Sequence, residues 1–135
     1  MRYNEATKNR PEGSRLLDAA QLYTDIKENI TLLKEETAWE KSDRNAITIF
    51  KNANITIVLL VLKGGATLFP QEIDAFVTAQ VIEGIISFES TQGVKNLVEG
   101  NIVVLHSKQP FNATAIQESV LLLTVFNKND KTKQQ

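Results

Sequence analysis

His106 is the only imidazole in 135 residues, and so the only side chain that changes charge near neutral pH by default. Catalysis there would need an orienting partner and a bound substrate within reach. The residue also ends the apolar run "NIVVL", which fits a plain turn histidine, and it is retained as a candidate for the mouth of an internal pocket. Glu72 and Asp74 stand at i, i+2, a spacing that puts two carboxylates on one side of an extended segment for acid–base work or calcium. Beside Pro70, in a polar stretch, they read instead as a solvated loop. Glu83 precedes Gly84 and reads as a turn residue, and "KGGATLF" lacks both the spacing and the following helix of a phosphate loop. No residue stands out as catalytic.

The inventory around these groups is thin. There is no cysteine, which removes disulfides, thiolate nucleophiles and cysteine-ligated zinc. Lys and Arg number 15 against 16 Asp and Glu, scattered along the chain, so no footprint for nucleic acid or an anionic membrane is present. With 42% hydrophobic residues the chain supports one domain with a core. The longest apolar run, "ITIVLLVL" at 55–62, is too short to span a bilayer, and the first residues lack an apolar leader segment. These features predict a cytoplasmic protein with no nucleic-acid or membrane partner.

The elements divide into an N-terminal arm and a β-rich body. Residues 1–13 and 127–135 are polar and read as flexible ends. In the arm, 14–45, "LLDAAQLYT" reads as extended, and Asp25 with Glu28 forms a capping-box pattern before Ile26, Ile30 and Leu33 at helical spacing. Ala38 and Trp39 suggest one further helical turn, with Trp39 as an anchor. From 46 to 126 about seven runs have strand character: "AITIFK", "NITIVLLVLK", "FVTAQVIE", "IISFES", "VKNLVE", "NIVVLHS" and "ESVLLLTVF". Short turns and no helical crossovers make the pairing antiparallel, in a sandwich or barrel.

The turns also carry a spacing. Gly65 and Gly84 frame "GATLFPQEIDAFVTAQVIEG", and a second frame starts at Gly100. This pattern resembles the cupin family, whose first motif is Gly, five residues, His, one, His, three or four, Glu, six, Gly. Its three ligand positions fall on Gln71, Ile73 and Val77. The second motif is Gly, five residues, Pro, one, Gly, two, His, three, Asn; these positions fall on His106, Lys108, Phe111 and Ala115. The resemblance covers about 46–126 and implies a mainly β fold, an antiparallel jelly-roll barrel behind a short N-terminal helical segment.

The resemblance implies a metal centre that these residues do not supply. A transition ion needs three or four converging nitrogen, sulfur or carboxylate donors. Gln71 offers a weak amide oxygen, and Ile73, Val77 and Phe111 offer none. The expectation is a barrel with no metal and no cofactor, and without metal-dependent dioxygenase or isomerase chemistry. If Val77 points inward, so do Ala79 and Val81, giving an apolar interior. Either Ile73, Val77 and Phe111 fill it as core, as dense interiors favour, or it persists as a dry pocket for a small apolar or amphipathic molecule with Gln71 as polar handle. The resemblance further implies a homodimer built through the arm or a barrel edge. The function expected is a non-enzymatic ligand-binding or accessory module. The alternative is a metal-independent isomerase or cyclase using Gln71 and His106.

Overall fold

In "FVTAQVIE" every second residue, Val77, Ala79 and Val81, turns to one side of its strand, and the same alternation in the neighbouring strands builds a two-layer β fold. The structure, a computed structural model, describes residues 3–4, 15–16, 18–68 and 74–127. Its strands are β1 (Tyr3–Asn4), β2 (Arg15–Leu16), β3 (Arg44–Lys51), β4 (Ile55–Leu62), β5 (Thr67–Leu68) and β6 (Phe76–Glu83). Then follow β7 (Ile85–Ser90), β8 (Gly93–Val98), β9 (Ile102–Leu105), β10 (Phe111–Ala115) and β11 (Ser119–Phe126). One sheet has the order β3-β4-β11-β6-β9 and faces a second, β5-β10-β7-β8. Among the described residues all pairings are antiparallel, and β1 pairs with β2. This is the mainly β, antiparallel jelly-roll arrangement expected. Its inner faces meet in a core built on Leu60, Leu62, Val81, Ile86, Phe88 and Leu121.

The seven expected strands all form, and β5 and β10 join them. β3 opens at Arg44, two residues ahead of the expected start of the barrel, which matters for the site. Gly65, Gly84, Gly93 and Gly100 all take positive φ. At Gly84 crowding adds to conformation: a Cβ there would stand 2.6 Å from the Glu118 carbonyl oxygen and 2.7 Å from Ser119 Cα. The buried Ser119 hydroxyl uses that space, accepting from Ile85 N at 3.1 Å and donating to Gln117 O at 2.7 Å.

In the arm, α1 (Ile26–Glu35) starts where the cap predicts, with Asp25 Oδ1 accepting from Glu28 N at 3.0 Å. Ile30 and Leu33 pack on the outer face of the large sheet against Ile47, Leu59, Val61 and Val120. A short α2 (Thr37–Lys41) follows, and Lys63 Nζ sits 4.8 Å from the centre of the Trp39 ring. The extended reading of "LLDAAQLYT" holds only for Leu16 in β2, since described residues 18–24 have no regular structure. Nor is Asn127 a free tail residue: its amide donates to Asn54 O at 2.7 Å and its side chain to Thr56 Oγ1 at 3.2 Å. Likewise Tyr3–Asn4, within the N-terminal end expected to be flexible, is paired with β2. The rest of the two expected flexible ends lies outside the described residues. Among the described residues no helix is long and apolar enough to cross a membrane.

Candidate functional site

Strand alternation aims Val77 and Ala79 of β6, Leu121, Leu123 and Val125 of β11, and Val103 and Leu105 of β9 from the large sheet into the barrel. From the small sheet come Phe111 and Ala113 of β10, Ile86 and Phe88 of β7, Leu97 of β8 and Leu68 of β5. These side chains do not close on one another. They leave a cavity of about 280 Å³, nearly twice the roughly 150 Å³ that holds a benzene molecule in an engineered protein core. The filled-core expectation therefore gives way to the pocket. The reason lies in residue size: Ala79 and Ala113 face the interior where larger side chains would close the gap.

Of the sequence candidates, Val77 and Phe111 line this cavity. The Phe111 ring stacks on Phe88, with centroids 5.7 Å apart and planes inclined at 19°. Gln71 and Ile73 lie outside the described residues, as does Glu72. Asp74 is described and exposed. His106 does not itself line the cavity. It lines a separate surface groove with Ser90, Gln92, Gln109 and Pro110; Phe88, Val103 and Leu105 form the wall shared by groove and cavity. Its exposed ring packs on Phe76, 4.3 Å between centroids and tilted by 54°, and its Nδ1 lies 3.4 Å from Ser107 Oγ.

The described part of the cavity wall offers no set of metal ligands. Val77 and Phe111, onto which the motif spacing lays two ligand positions, present only carbon. Among the described residues no three His, Cys, Asp or Glu side chains come together.

One charged residue does line the cavity, and sequence reasoning missed it. Arg44, at the first position of β3, is the lone charge among the described lining residues. Its Nε donates to Asp43 Oδ1 at 2.8 Å, and its Nη2 donates to Thr67 O at 2.6 Å and to Asp43 Oδ2 at 3.4 Å. The hydrogen bond from the Arg44 guanidinium, helped by its charge, holds the Asp43 carboxyl below its ordinary range against the opposing effect of desolvation. The signal that could have exposed Arg44 is phase. Counting back by twos from Thr48 and Ala46 along "RNAIT" puts Arg44 on the inward face, provided the strand is begun early enough.

Comparison with solved structures places this architecture. A cupin superfamily protein from Desulfitobacterium hafniense superposes with a TM-score of 0.62 at 10% identity, over 95% of this chain and 100% of that one. An RmlC-like cupin from Shewanella frigidimarina gives 0.61 at 14% identity, over 67% and 81%. The cupin domain of an XRE-family transcriptional regulator from Enterobacter cloacae gives 0.56 at 13% identity, over 65% and 100%. No protein-family model matches the sequence, and no curated protein does.

Proposed function

We propose, from the premise that the chain has the cupin fold, that it is a metal-free binding module holding a small apolar or amphipathic molecule inside the barrel. The observation that carries this reading is the cavity of about 280 Å³ with hydrocarbon at Val77 and Phe111. An apolar enclosure of that size favours a ligand that removes its own hydrocarbon surface from water. The alternative, a metal-independent isomerase or cyclase, requires an acid or base beside the substrate. Among the described residues no His, Asp or Glu lines the cavity.

The module is proposed to act as a homodimer. Ile102 and Val104 of β9, with Phe76 of β6 and Phe126 of β11, stand exposed on the outer face of the large sheet, next to the edge of β9 that has no partner strand among the described residues. A second copy, docked about a two-fold axis, covers both the apolar patch and the open edge.

Binding is tested by differential scanning calorimetry with 1-octanol as probe. The melting temperature rises with octanol in the wild-type protein and does not in Ala79→Leu, which fills the cavity. A wild-type protein indifferent to octanol and to other hydrocarbon probes of that size overturns the reading.

A further inference from the structure

We infer that the cavity selects a carboxylate with a hydrocarbon body, its head on the Arg44 guanidinium and its body among Val77, Phe88, Phe111 and Leu123. This rests on the binding function proposed above and adds the ligand class. The argument starts from the donor inventory of Arg44. A guanidinium has five N–H donors; Asp43 takes Nε and shares Nη2, and the Thr67 carbonyl takes Nη2. Nη1 has no acceptor among the described residues, so two donors stay open on a side chain that lines the cavity.

Charge selects among heads. Arg44 is the one charged residue among the described lining residues, and Asp43, its ion-pair partner, is not among them, so a ligand head in the cavity meets a cation. The Asp43 oxygens are committed on the Nε edge, away from the Nη1 donors. A carboxylate on Nη1 makes charge-assisted hydrogen bonds, which are roughly twice as strong as neutral ones. A neutral hydroxyl gains less there, and an ammonium meets like charge. The other described wall residues then set the body: among them there is hydrocarbon alone, with no second polar side chain to receive a hydroxyl or amide further along the ligand.

The experiment compares octanoate, 1-octanol and octylammonium, equal in chain length, by isothermal titration calorimetry on the full chain. Octanoate binds at least tenfold tighter than octanol, and octylammonium binds weakest. Arg44→Gln removes the octanoate preference and leaves octanol binding in place; Arg44→Lys keeps part of it. Equal affinity for octanoate and octanol in the wild-type protein overturns the carboxylate assignment while leaving the apolar pocket standing. Failure of all three probes overturns the pocket reading and this inference with it. Should Arg44→Gln not fold, the head-group comparison on the wild-type protein and on Arg44→Lys decides the question.

Discussion

Phe111 stacks on Phe88 across the inner face of the small sheet, at the position onto which the motif spacing lays a ligand histidine. The two are diagonal neighbours, because Ala113 pairs directly with Phe88 and Phe111 with Ser90. The aromatic pair thus adds a side-chain contact to the β10–β7 pairing on the inner face. Truncation should expose this role. Phe111→Ala is expected to cost about 2–4 kcal/mol, near the lower end for large aromatic deletions because the ring is only half-buried. Urea unfolding measures the loss, and a cost below about 0.5 kcal/mol would show the stack to be incidental.

Gly84 and Ser119 form a second dependent pair. A side chain at Gly84 meets the Ser119 hydroxyl and the Glu118 carbonyl, and φ is +92° as well. At Gly93 φ is also positive, but a Cβ there meets nothing within 4 Å. Gly93→Ala therefore isolates the conformational cost, about 1–2 kcal/mol, and Gly84→Ala should exceed it clearly. Equal losses in thermal melts would mean that the backbone around Ser119 yields.

The difference between what was legible and what was not has a physical pattern. The long strands β4, β6 and β11 announce themselves because β-branched and leucine residues recur within them, and α1 because its cap and stripe are local. The "FNATA" of β10 has neither signature: two alanines and an asparagine carry little strand preference, and the segment is extended because β5 and β7 pair with it on both sides. β5 is two residues long, below any periodicity. The inward direction of Val77 came from the family resemblance and that of Ala79 and Val81 from alternation, whereas an open cavity depends on Ala79 and Ala113 facing it together, a relation between strands distant in sequence. Arg44 was hidden by its neighbours, since "KSDRN" reads as a polar turn until strand pairing with Leu62 is known.

Asn45 joins the arm to the barrel. Its buried amide donates to Leu33 O at 2.9 Å and to Glu36 Oε1 at 2.8 Å, and its oxygen accepts from Ala46 N at 3.0 Å. Asn45→Ala should cost about 1–3 kcal/mol, the penalty of stranding buried polar partners. Asn45→Asp adds a sign. The introduced carboxylate faces the Leu33 carbonyl and the Glu36 carboxylate, so its folded pKa is raised and folding favours the protonated form. The variant is then least impaired at low pH and loses stability as pH rises through the carboxylate range. A denaturant midpoint, relative to wild type, that fell equally at pH 4 and pH 8 would contradict this placement.

Dimerisation makes a separate forecast. Val104 is exposed in the single chain, 61% accessible, on the outer face of edge strand β9. Val104→Glu should leave the fold intact and convert the proposed dimer to monomer, read by light scattering after size exclusion. A wild-type monomer at tens of micromolar overturns the assignment of a second copy to this face.

Lys108 carries the sharpest test of the motif spacing. Counted from Gly100, it occupies the position where the cupin pattern has its internal glycine, and it is the only non-glycine residue with positive φ among the described residues, at +63°. The backbone has kept a left-handed turn that the side chain opposes by about 1–2 kcal/mol. Restoring glycine removes that strain, while the unfolded chain gains freedom worth up to about 1 kcal/mol against it. Lys108→Gly should therefore be neutral to about 1 kcal/mol stabilising, and Lys108→Ala, which relieves nothing, should give no gain. Because Lys108 is exposed, lost side-chain contacts do not blur the comparison. A loss of more than about 1 kcal/mol in Lys108→Gly, measured by guanidinium unfolding, would show that the turn is not held in the strained conformation and that the second glycine frame has been laid on the wrong residues.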